Sequence, residues 1–373
     1  MTKNDSAKAV AKKFEFFHAF WKGEGAFPIL FTQPHLAKGK AYCRYDLIEQ
    51  HGSIEKHLEE RLLEVEPHLS LIDDGIPTIR ADMGTTLLPS GLGLEIKLQA
   101  DLHPWLTQHF SPEELLSQKG PFQVEDFSQN EVAFAVAFYR LFFERKRQGM
   151  IPETVYPYVP ETEGIFDLSH LLIGTELFLL LEDQPELAHR IQRRSLELYL
   201  VATRFFKKLL GEQPKSMIHG HGMPIGVWFP DTGGRISEDS CTLVSAAMIR
   251  EFCLPYIQEG ARFFGRLFLH YCGYHPEFLR MACELEEIST LNLGNPEMYD
   301  LENVMAICGT TDTVLFGHIP RQGHEGAENY LHRLAGLCRK FQARLILVSD
   351  YQPKNREEKA ALVECWHKLT AVR

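Results

Sequence analysis

The chain has no apolar run approaching the roughly 18 residues that a membrane span requires, so no membrane partner is expected. It has no basic excess: 39 Lys and Arg stand against 50 Asp and Glu, for a formal charge of −11. That balance argues against a nucleic-acid partner, because phosphates call for clustered cations. There is no CxxC pair and no disulfide-framework spacing. The eight cysteines (43, 241, 253, 272, 283, 308, 338 and 365) are scattered. The first residues are charged and carry no secretory apolar region. Gly91-Leu-Gly93 lacks the third glycine of a dinucleotide fingerprint. These absences together predict a protein of the reducing cytoplasm.

What is present centres on Leu267-Phe-Leu-His270-Tyr-Cys272-Gly273, an apolar strand-like run ending in His-x-Cys-Gly. Side chains alternate along a strand, so His270 and Cys272 project to one side. Imidazole and thiolate are favoured zinc ligands, and Gly273 lets the chain turn away. The plainer alternative is a buried histidine and a free cysteine that fall two residues apart.

Helical patterns at 7–21 and 54–66, separated by an irregular stretch at 22–45, predict an N-terminal helical extension over residues 1–70. Ile76-Pro-Thr-Ile reads as a short strand running toward Asp82, and 130–147 and 185–210 read as helices. Residues 216–240 are polar and glycine-rich. Beyond residue 260 a regular beat sets in: strand-like runs at 265–270, 288–293, 312–317 and 344–348, with helical runs at about 276–287, 297–308 and 325–342 between them. This is the spacing of βα units with parallel strands. It predicts an α/β fold, a (β/α)8 TIM barrel over 71–373, with an open doubly wound sheet as the alternative.

In a barrel the active site lies at the C-terminal ends of the strands. Asp82, His170, His219, His221, Asp239, His270, Cys272, Asn292, Asn295, His318 and Asp350 all fall at or just past strand-like runs. His219-Gly-His221 is not the metal pair that opens an amidohydrolase barrel, because only about 150 residues follow it. The two histidines are expected to line the pocket as substrate contacts.

With these segments in order, the chain resembles the uroporphyrinogen decarboxylase superfamily, which includes zinc-dependent methylcobalamin:coenzyme M methyltransferases. Ser237-Glu-Asp239-Ser240-Cys-Thr-Leu-Val-Ser245-Ala-Ala-Met-Ile-Arg-Glu-Phe252-Cys-Leu-Pro255 is similar to the family's Asp-Ser segment and the helix after it. His270-x-Cys272-Gly273 resembles the methyltransferases' His-x-Cys-Gly, and Leu315-Phe-Gly317-His318-Ile-Pro320 resembles the family's Gly-Asn-x-x-Pro strand end. The resemblance implies zinc held by His270, Cys272 and Asp350, the last replacing a second cysteine. It implies a corrinoid or other methyl carrier as donor, a thiol acceptor, and a corrinoid-binding protein as possible partner. Asp82 resembles the decarboxylases' catalytic aspartate. Asp82 and Asp239 are expected to do catalytic work, and Ser240 and His318, with His219 and His221, to contact a small-molecule, tetrapyrrole or corrinoid substrate. The decarboxylases' Met-Arg-Gln-Ala-Gly-Arg segment is missing. That weakens porphyrinogen decarboxylation, which remains an alternative beside a barrel that binds a tetrapyrrole or corrinoid without turnover.

Overall fold

A computed structural model describes residues 3–32, 44–118, 122–123 and 129–371. Part of the stretch expected to be irregular, 33–43, lies outside the described residues. The strands in chain order are β1 (Ile29–Leu30), β2 (Ile76–Ile79), β3 (Ile96–Lys97), β4 (Trp105–Leu106), β5 (Tyr156–Pro157), β6 (Met217–His219), β7 (Ile225–Phe229), β8 (Thr232–Ser237), β9 (Arg266–Tyr271), β10 (Ile288–Leu293), β11 (Val314–Ile319) and β12 (Leu345–Ser349). Six of them form a parallel sheet in the order β1-β12-β11-β10-β9-β8. Helices Leu254–Phe264, Pro276–Glu284, Leu301–Thr311 and Ala327–Phe341 fill the crossovers from β8 to β12, and Arg356–Thr370 follows β12.

The α/β class stands. Among the described residues, however, the strands do not make one hydrogen-bonded ring of eight parallel members. β5-β2-β7-β6 form a second sheet in which β7 runs antiparallel to both neighbours. The polar stretch 216–240 thus holds three strands, two of them paired as the hairpin β6–β7. The sheets approach each other where Ile29 N donates to Asp74 Oδ2 at 2.8 Å and Asp74 N donates to Ile29 O at 3.2 Å. The N-terminal stretch therefore contributes a strand to the main sheet as well as helices.

Alternation divides the core in two. Leu267, Leu269 and Tyr271 of β9 pack outward with the crossover helices. Phe268 faces the other way, into a cluster with Phe316, Ile346 and Val348, closed opposite by Ile76, Ile225, Val227 and Phe229 of the second sheet. The first helix, Lys3–Trp21, inserts Phe17 and Phe20 into this inner cluster, and Trp21 Nε1 donates to Trp228 O at 2.8 Å. Its aromatic face is thus packed on the body of the protein. No helix among the described residues is long and apolar enough to cross a membrane. Phe20 is 1% exposed, so Phe20→Ala is expected to cost about 3–5 kcal/mol. Urea denaturation would measure this, and a loss under about 1 kcal/mol would mean that the helix does not seal the core.

Candidate metal centre

His270 shares the inner face of β9 with Phe268, and Cys272 lies just past the strand's end, open to solvent. β8 is registered beside β9 with Ser237 opposite His270. Two residues further along each chain, Asp239 therefore falls beside Cys272, and Asp239 Oδ1 accepts Cys272 N–H at 2.6 Å. His270 Nε2 lies 3.4 Å from Cys272 Sγ and 3.6 Å from Asp239 Oδ1. The three donor atoms all lie within 4.8 Å of one another. Ligands of a tetrahedral zinc, bonded at about 2.0–2.3 Å, sit roughly 3.3–3.6 Å apart, the spacing that His270 Nε2 keeps from each of the other two donors.

The surroundings prepare the donors. His270 Nδ1 is 2.6 Å from Asn292 Oδ1, while Asn292 Nδ2 donates to Phe316 O at 2.8 Å. The carbonyl of Phe316 can only accept, which fixes the amide orientation and makes Asn292 Oδ1 the acceptor for His270. The proton then sits on Nδ1, and the Nε2 lone pair faces Cys272 and Asp239. Burial, reinforced by Arg235, lowers His270 to about 4, so the ring is neutral and able to ligate. Burial and the neighbouring Asp239 push Cys272 up to about 11. A bound cation would reverse that by favouring the thiolate. Asn292→Ala is expected to weaken zinc binding about 10–100-fold. Competition with a chromophoric chelator measures this, and unchanged affinity would show that Asn292 does not orient His270.

The Asp239 loop is held from beneath. Asp167 accepts the amides of Asp239 at 2.9 Å and Ser240 at 2.7 Å, and burial beside Asp239 raises Asp167 to about 7. Glu238 is fully buried and accepts three amides, from Ile165, Phe166 and Asp167, at the start of helix Ile165–Ile173. Ser240 is buried, with its hydroxyl 2.8 Å from His170 Nδ1.

The other expected site residues fall into separate groups. Asp350 is not part of the donor trio. It accepts the Arg321 amide at 2.9 Å and lies 3.0 Å from His318 Nε2. β12 is three strands from β9, whereas β8 adjoins it, which is why Asp239 rather than Asp350 reaches the pair. Asp82 is clamped by Arg61 at 3.2 Å and Arg80 at 3.0 Å, which hold it below the usual carboxylate range despite burial. It is an ionised partner of two guanidiniums, with no proton to give. The His221 ring lies 4.2 Å from that of His270, and His219 packs edge-on against Phe268 at 4.8 Å. Burial keeps both neutral, lowering His219 to about 3 and His221 well below its ordinary value.

Sequence reasoning missed the buried ion pairs of Arg80 and Arg235 with Glu161, and the supports Asp167 and Glu238. In sequence, Asn292 reads only as a polar strand end. The Arg80-x-Asp82 spacing, with both residues on one side of an extended chain, was the available signal.

No family model and no curated protein matches the chain. A solved structure does. The chain shares its fold with a methyltransferase. That methyltransferase, from Methanosarcina mazei, superposes with a TM-score of 0.63 at 16% identity, over 94% of this chain and 96% of that one.

Proposed function

We propose that the chain is a zinc-dependent methyltransferase, moving a methyl group from a corrinoid or similar carrier to a small thiol. The observation that carries this reading is the convergence of His270 Nε2, Cys272 Sγ and Asp239 Oδ1 at the end of β9, on a fold shared with a methyltransferase. Zinc held by these three residues would leave a place for a thiol and favour its thiolate at neutral pH. Asn292 orients His270, Asp167 fixes the loop that carries Asp239, and His221 lies against the His270 ring. The solvent-open side of Cys272 is where acceptor and donor would enter.

Decarboxylation of a porphyrinogen has less support. Its many carboxylates need free cations, and Arg61, Arg80 and Arg235 are each engaged with Asp82 or Glu161.

The test is to incubate the zinc-loaded protein with methylcobalamin and 2-mercaptoethanol. The reading expects the methylcobalamin absorption to decay and the methyl thioether to accumulate, with neither in Cys272→Ser. A spectrum unchanged across a panel of small thiols, with zinc bound, would exclude this methyl transfer.

A further inference from the structure

We propose that His318, held by Asp350, is the base that takes the proton of the acceptor thiol. This rests on the methyl-transfer reading above. The register places it. Tyr271 pairs with Leu293, and Leu291 pairs with Leu315. Continuing both registers sets Gly294 between Cys272 on one side and His318 on the other. Gly294 has no side chain, and the thiol of Cys272 leans over it, toward the strand that carries His318. Two strand spacings separate their backbones, about 9–10 Å, a gap that a small thiol bridges. Phe316 faces the inner cluster, and alternation puts His318 on that same side, at the rim.

The pair is arranged for proton transfer. His318 Nε2 lies 3.0 Å from Asp350 Oδ1. Asp350 Oδ2 is fixed in turn by the amide of Arg321 at 2.9 Å and its Nε at 3.3 Å. A carboxylate that stays ionised takes the Nε2 proton as a hydrogen bond, leaving the Nδ1 lone pair free. Burial works against the Asp350 charge, but the hydrogen bonds from the Arg321 amide and side chain favour it, and the carboxyl lies below its ordinary value. Glu297, from the turn after β10, also faces His318 electrostatically. The His318 side chain is 50% exposed, so a substrate can reach it. None of these groups belongs to the donor trio.

In the step, the S–H bond breaks and its proton passes to His318 Nδ1. The sulfur electron pair forms the S–C bond to the methyl group. The bond between methyl and carrier breaks with its electron pair left on the carrier, so no oxidant or reductant is required.

The experiment compares the zinc-loaded full chain with His318→Ala and His318→Gln, using 2-mercaptoethanol and methylcobalamin. Both variants should bind zinc as the parent does and lose about a hundredfold in rate. Added imidazole should restore a large part of the rate in His318→Ala. Calorimetry of 2-mercaptoethanol binding in buffers of different ionisation enthalpy gives a readout independent of turnover: the parent should release fewer protons to the buffer than either variant. Asp350→Asn, which acts through His318, should lower kcat with little change in KM. Variants within twofold of the parent rate overturn the proposal. So does a lower rate with an unchanged proton count and no imidazole rescue, which assigns His318 to binding alone. A zinc-loaded parent that neither binds nor methylates any thiol fails earlier, at the methyl-transfer reading, and takes this proposal with it.

Discussion

Gly294→Ala is expected to abolish tight zinc binding while leaving the protein folded. A Cβ on Gly294 would fall well inside van der Waals contact with Cys272 Sγ, and 3.1 Å from His270 Cε1. The backbone at Gly294 lies outside the left-handed region, so alanine itself is not strained there. Relief comes from rotating the Cys272 side chain, which is short and opens to solvent. That rotation carries the sulfur away from His270 Nε2, and a site left with one imidazole and one carboxylate loses most of its affinity. Zinc affinity should drop by at least about a hundredfold, with the thermal midpoint close to that of the parent. Unchanged zinc affinity would show that Cys272 Sγ does not occupy the space above Gly294.

Glu238→Ala should give the largest loss of stability among residues near the site. Its carboxylate accepts the Ile165 amide at 2.8 Å and those of Phe166 and Asp167 at 3.1 Å. Burial, and then Asp167, hold Glu238 well above the ordinary carboxyl value, although the three amides pull the other way. Removing the buried carboxyl relieves some desolvation, but it strands three buried donors at a helix start, each costing about 1–3 kcal/mol. The stranded donors should win, for a net loss of roughly 3 kcal/mol or more. Zinc affinity should fall as well, because Glu238 precedes Asp239 and its own amide donates to His270 O at 2.9 Å. Urea titration and zinc competition on one preparation test both parts. A stability in urea within about 1 kcal/mol of the parent would contradict the role given to Glu238.

The part of the chain after residue 260 was legible because its apolar runs and amphipathic helices alternate with little interruption. β10 spans Ile288–Leu293, where the pattern placed it, and the helix expected at 185–210 spans Pro185–Leu210. The stretch 216–240 was not legible. Gly220, Gly222, Gly226, Gly233 and Gly234 break its periodicity, and its strands depend on pairing with one another and with β2 and β9. Two of the three donors could be read from His270-x-Cys272 alone. The third could not, since Asp239 and Asp350 both follow strand-like runs, and only the adjacency of β8 to β9 chooses between them. Buried charges such as Arg80 and Glu161 were hidden for a related reason. Polar residues on an inward strand face look, in sequence, like residues facing solvent.

The most direct measurement is zinc-edge X-ray absorption on protein purified without chelators and reconstituted with zinc, beside Cys272→Ser. The expected result is one zinc per chain with a single sulfur neighbour at about 2.3 Å and nitrogen or oxygen neighbours at about 2.0–2.2 Å, and loss of the sulfur shell in the variant. A protein that takes up no stoichiometric zinc, or holds it in a shell without sulfur that Cys272→Ser leaves unchanged, would contradict the metal centre at the end of β9.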